Sequence, residues 1–131
     1  MVTYVSKRQQ TLLLWAAAES DKLSPQAHQL ISNPAHELWF SAASIWEITI
    51  KLGLDRADFR VNPTLLRRGL LQNGYQELAI SSLHALAVHN LANIHKDPFD
   101  RLLVAQANCE NLTLLSSDSL VAQYGAIVKL V

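Results

Sequence analysis

The sequence predicts an α/β fold, a parallel sheet covered by helices on both faces. Compact apolar runs, Leu38-Trp39-Phe40 and Leu112-Thr113-Leu114-Leu115, have the length of buried strands. Helical segments lie between such runs, opened by Ser24-Pro25 and Asp97-Pro98 and stopped by Asn73-Gly74. Strands that alternate with helices pair in parallel and need cover on both faces. Half of the 131 residues are hydrophobic and 17% are charged, which excludes a disordered chain. At this length residues 1–131 form one domain with a core that needs no metal or disulfide staple.

The elements follow in order. Residues 2–5 are a strand candidate, and residues 12–19 read as a short, almost wholly apolar helix. Ser24 caps a helix with Pro25 at its first position, running to about Ser32 before Asn33-Pro34. Residues 38–40 make the next strand. Residues 43–52 form a helix with Gly53 in the C-cap position. Its apolar residues Ile45, Trp46, Ile48, Ile50 and Leu52 surround it, so it is expected to be buried. Residues 55–62 are a polar loop, residues 63–72 a helix, residues 77–80 a strand and residues 82–92 a helix. Another helix runs from Asp97-Pro98 to about Asn111, followed by the strand at 112–115. Ser117 or Asp118 then caps a short helix ending at Gly125, and residues 127–130 are the last strand.

Several classes are excluded at once. One cysteine, Cys109, permits no internal disulfide, as in a reducing cytosol, and is expected to be a small core residue. No stretch reaches the roughly 20 apolar residues of a membrane span. Lys7 and Arg8 before residues 12–18 imitate a signal peptide, but the start of a helix is the better reading. Eleven basic and eleven acidic residues cancel, which argues against a generic basic phosphate-gripping surface. There is no Walker loop and no G-x-G-x-x-G motif. His28, His36, His84, His89 and His95 form no zinc pattern, and Trp15, Trp39 and Trp46 read as core.

The acids are distributed unevenly. Glu47 lies within the most apolar helix, Asp97 and Asp100 share the first turn of another, and Asp118 follows a strand at its carboxyl end. Functional groups gather at the carboxyl ends of strands in such sheets. Each acid also has an ordinary structural role. Glu47 can pair with Lys51 one turn on, Asp97 and Asp118 can be N-caps, and Asp100 can favour the helix dipole. Together they point to an acidic pocket. Clustered carboxylates repel, and a hard divalent cation such as Mg²⁺ or Mn²⁺ relieves that repulsion. Three acids without a thiolate or paired-histidine motif point to phosphate chemistry and away from zinc.

Three segments carry a resemblance. Residues 41–48 (Ser-Ala-Ala-Ser-Ile-Trp-Glu-Ile), residues 95–107 around Asp97-Pro98-Phe99-Asp100-Arg101, and residues 112–118 ending in Ser116-Ser117-Asp118 resemble motifs of the PIN-domain toxins. These are the VapC-like ribonucleases of type II toxin–antitoxin modules, and the resemblance runs from about Leu12 to the C-terminus. It implies a three-layer α/β/α sandwich and Mg²⁺- or Mn²⁺-dependent endoribonuclease activity. Glu47, Asp100 and Asp118 match the metal-binding, catalytic acids. Asp97, Ser116 and Arg101 match supporting positions beside them. The resemblance further implies a homodimer in the cytoplasm, an RNA substrate and a small antitoxin whose tail enters the active-site groove.

One departure stands out. The family opens with a strand ending in aspartate-threonine-histidine, and here Gln9-Gln10-Thr11 align with that triplet. Residues 1–11 are atypical for the family, and the first acid of the chain is Glu19. A neutral glutamine leaves the site one charge short, so impaired cleavage is expected. The alternative is a catalytically inactive PIN-fold protein that acts by binding antitoxin or RNA. A third possibility is a small α/β domain with a structural role only. Arg56, Arg60, Arg67 and Arg68 form a basic segment that suits phosphates or a solvated helix face equally. Assigning Glu47, Asp97, Asp100 and Asp118 to one pocket leaves seven acids against eleven bases elsewhere, about +4, so the neutral total is compatible with an RNA partner.

Overall fold

The structure is a computed structural model that describes residues 2–5 as backbone and residues 24–54, 62–116 and 118–131 in full. Gln9, Trp15, Arg56, Arg60, Ser117 and the expected helix over residues 12–19 lie outside these residues.

Among the described residues, five parallel strands form one sheet in the order β3-β2-β1-β4-β5. They are β1 (Val2–Val5), β2 (Glu37–Ser41), β3 (Gln76–Leu78), β4 (Thr113–Ser116) and β5 (Val128–Leu130). The chain steps outward from β1 to β3, then returns to β4 on the other side of β1. The topological switch therefore falls between β1 and β4, where open α/β sheets form a crevice beyond the carboxyl ends of their strands.

The helices are α1 (Pro25–Ser32), α2 (Ala42–Gly53), α3 (Pro63–Gln72), α4 (Ser82–Ala87), α5 (Pro98–Glu110) and α6 (Ser119–Ala122). Each starts on a polar cap that satisfies a first-turn N–H: Ser24, Ser41, Asn62, Ser81, Asp97 and Asp118 respectively. Asn111 at the end of α5 and Gly74 after α3 adopt positive φ, as left-handed stops do. Gly53 does not. It is the last helical residue, and Leu54 caps α2 by donating to the Ile50 and Lys51 carbonyls. The helix expected over residues 82–92 ends early, tightening into a 3₁₀ turn at Val88–Asn90, whose Val88 carbonyl accepts from the Leu91 N–H and from Arg101.

Two apolar clusters make the sheet a three-layer sandwich. Successive strand residues point to opposite faces. Leu38 and Phe40 of β2 join Ala27, Ile48, Leu66, Leu70 and Tyr75, and Trp39 joins Leu103, Val104, Ala107, Leu114 and Val121. The helix α2 is not buried all round. It buries Ala43, Ser44, Glu47 and Ile48, an i, i+4 face, and exposes Trp46 and Ile50 on the flanking stripe. Trp46 is 56% exposed rather than a core residue. Cys109 is also exposed, because α5 is covered all round over residues 103–107 and its last turn, with Asn108, Cys109 and Glu110, emerges from that cover.

Tyr75 is buried, and its hydroxyl has no hydrogen-bond partner among the described residues. Burial pushes its pKa up to about 12, against about 10 for an exposed tyrosine. Between these values the folded chain keeps a proton that the unfolded chain has lost, so stability falls as pH rises through this window. Tyr75→Phe is expected to unfold within about 1 kcal/mol of the wild type at neutral pH. Denaturant titrations from pH 9 to 12 are expected to show its alkaline loss of stability reduced.

Candidate active site

The site is assembled at the carboxyl end of β4 from two helix starts. The Ser116 hydroxyl, buried at the end of β4, accepts the Asp118 N–H at 3.0 Å. Asp118 Oδ1 caps α6 by accepting the Leu120 N–H at 2.9 Å, while Oδ2 lies 3.4 Å from His95 Nε2. Asp100, buried in the first turn of α5, places its Oδ2 3.2 Å from the same nitrogen. One ligand atom each from His95, Asp100 and Asp118 lie within 4.8 Å of one another.

Asp97 takes the ordinary role foreseen for it. Its Oδ1 accepts the Phe99 and Asp100 N–H groups at 2.9 and 3.0 Å, which seats the turn that carries Asp100. Glu47 does not belong to the group of three within 4.8 Å, but it is 4% exposed on α2, which packs on α5. Two contacts lock these helices. Trp46 and Phe99, the residues immediately before Glu47 and Asp100, meet edge to face at 5.2 Å. The Ser41 hydroxyl, at the start of α2, donates to Gln106 Oε1 of α5 at 2.7 Å in a buried bond.

Arg101 acts on the connection that carries His95. Its Nη1 donates to the Ala92 carbonyl at 3.1 Å, the His95 carbonyl at 3.4 Å and the Tyr124 hydroxyl at 3.2 Å, and its Nη2 to the Val88 carbonyl at 3.1 Å. Sequence reasoning missed His95 because it sought histidines paired along a helix. The usable signal was its place two residues before a helix cap flanked by acids. His84, buried on α4, serves packing instead: Nδ1 accepts the Ser81 N–H and Nε2 bonds to Glu110. Within the basic segment, Arg67 pairs with Glu77 at 2.8 Å, which raises its pKa, so its charge is partly engaged.

Two buried carboxylates with converging oxygens, and a third acid buried on the adjoining helix, are hard donors suited to a divalent cation. Two substitutions check the supporting roles. Asp97→Ala is expected to cost about 1 kcal/mol in thermal unfolding, whereas Asp97→Asn, which keeps a capping oxygen, stays near the wild type. Arg101→Lys, with a single ammonium for four acceptors, is expected to cost about 2 kcal/mol and to speed amide exchange across residues 88–95.

Comparison with curated proteins gives no match. Among solved structures, the chain is similar to one in the crystal structure of VapBC2 from Rickettsia felis bound to a DNA fragment from their promoter. The TM-score is 0.66 at 12% identity, covering 100% of this chain and 98% of that one. It is also similar to a chain of VapBC-1 from nontypeable Haemophilus influenzae, with a TM-score of 0.61 at 16% identity over 100% and 97% of the two chains. At these identities the likeness is one of fold. The sequence profile of the PIN domain matches residues 11–126, nearly the whole chain, and this protein belongs to the PIN domain family.

Proposed function

We propose that this protein is the toxin component of a type II toxin–antitoxin module, a VapC-like endoribonuclease dependent on Mg²⁺ or Mn²⁺. The observation that carries this reading is the convergence of Asp100 and Asp118, from different elements, at the topological switch of a PIN-family sheet. Glu47, Asp100 and Asp118 would hold the cation, with Asp97, Ser116 and Arg101 positioning them. A bound cation supplies charge stabilisation at a phosphodiester and activation of water. The chain's own acids orient that cation, and burial strengthens their field.

The partners that fit this reading are an RNA substrate, a cognate antitoxin and a second copy of the chain, in the cytoplasm. The two structural neighbours are VapBC assemblies, which supports the antitoxin as partner. Gln9 favours a second reading, a PIN-fold protein that binds antitoxin or RNA without cleaving. An amide oxygen carries no charge and binds a hard cation more weakly than a carboxylate does.

Cleavage of a mixed RNA substrate with Mg²⁺ or Mn²⁺ decides between the two. Glu47→Gln and Asp100→Asn are each expected to lower the rate by at least about 10²-fold, and chelation to abolish it. Gln9→Asp is expected to raise both the rate and the Mn²⁺ affinity measured by calorimetry. Cleavage that survives Glu47→Gln and Asp100→Asn overturns the nuclease reading. Cation binding without cleavage, in both the wild type and Gln9→Asp, establishes the second.

A further inference from the structure

We infer that His95 is a positioning residue of the metal centre, whose Nε2 stands between Asp100 and Asp118 as a placeholder for the cation. This rests on the metal-centre reading above. The ring's tautomer follows from its other nitrogen. His95 Nδ1 lies 3.0 Å from the backbone nitrogen of Asp97, whose N–H donates to it. A backbone amide is always a donor, so Nδ1 offers its lone pair and the ring proton lies on Nε2. That proton is directed at Asp118 Oδ2 at 3.4 Å, and Asp100 Oδ2 lies 3.2 Å from the same nitrogen as an electrostatic neighbour. A metal ligand needs a lone pair at Nε2. Supplying one would move the proton to Nδ1, against the Asp97 N–H, and the Asp97 backbone is held by its capping of α5.

The residue is also held through its backbone. The His95 N–H donates to the Tyr124 hydroxyl at 2.9 Å, its carbonyl accepts from Arg101 at 3.4 Å, and its side chain is only 16% exposed. Arg101 Nη1 also reaches the Tyr124 hydroxyl at 3.2 Å, so both backbone anchors of His95 are joined. Held this way, the Nε2 edge occupies the place between two like charges before a cation arrives. The cation competes with the ring for that place. Removing the ring therefore destabilises the metal-free protein and favours the metal-bound one.

The test uses the full chain. Mn²⁺ binding by calorimetry and metal-free thermal unfolding are measured for the wild type, His95→Ala, His95→Gln and Asp100→Asn. Nitrogen-detected NMR reads the His95 tautomer in the metal-free wild type. The expected results are an Nε2–H tautomer, and His95→Ala that binds Mn²⁺ about tenfold more tightly while melting at a lower temperature without metal. His95→Gln, whose amide nitrogen can donate from a similar place, is expected to return both quantities toward the wild type. If His95→Ala does not fold, the tautomer and His95→Gln still decide. An Nδ1–H tautomer, or Mn²⁺ binding weakened in either His95 variant while the wild type binds and Asp100→Asn does not, overturns this inference alone. A wild type that binds no Mn²⁺ overturns the metal-centre reading and this inference with it.

Discussion

The site depends on Asp97 as the cap of α5. One residue orients both members of the central contact, through different atoms. Its carboxylate gathers the Phe99 and Asp100 N–H groups and sets the first turn, and with it the direction of the Asp100 side chain. Its own N–H sets the tautomer of His95. Helix termini leave backbone donors that must find acceptors. Here that general need is met by a residue that also arranges the chemistry. A proline directly after the cap preorganises the turn, so little ordering is left to binding.

From α5 the constraint spreads to the rest of the molecule. The helix is the most deeply buried in the described structure, with an unbroken inward run from Leu103 to Ala107. Within that run, Gln106 is polar and fully buried, and it is satisfied across two elements. Ser41 donates to its oxygen, and its nitrogen lies 3.3 Å from His84 Nδ1. Buried polar groups are costly unless bonded, which makes such a network intolerant of alternative helix positions. The aromatic contact between Trp46 and Phe99 restricts the same pair of helices at its solvent side.

How much was legible in the sequence follows from how local each signal is. Ser24-Pro25, Asp97-Pro98 and Asn73-Gly74 were legible as caps and a stop, because they act on their own backbone. That Asp100 and Asp118 come together was foreshadowed by their residue type and their place at helix starts. The orientation of α2 was not. Apolar residues on both of its stripes leave open which one meets the sheet, and packing turned Ile48 in and Trp46 out. Cys109 failed for a related reason, since its character says nothing of where along the helix the cover ends. His95 was only partly legible: its contact with Asp97 is local, but those with Tyr124, Asp100 and Asp118 form only in the fold.

The two ends of the sheet carry a consequence for the protein's behaviour in a crowded solution. The outermost strands, β3 and β5, are three residues each and bear the exposed polar residues Gln76, Glu77 and Lys129. A strand edge with free backbone groups is a template on which other chains can add. Edges this short and this charged offer few such groups and penalise a neighbour that pairs with them. The three inner strands, of four or five residues, are thus shielded on both sides from the growing ribbons through which β-rich proteins aggregate.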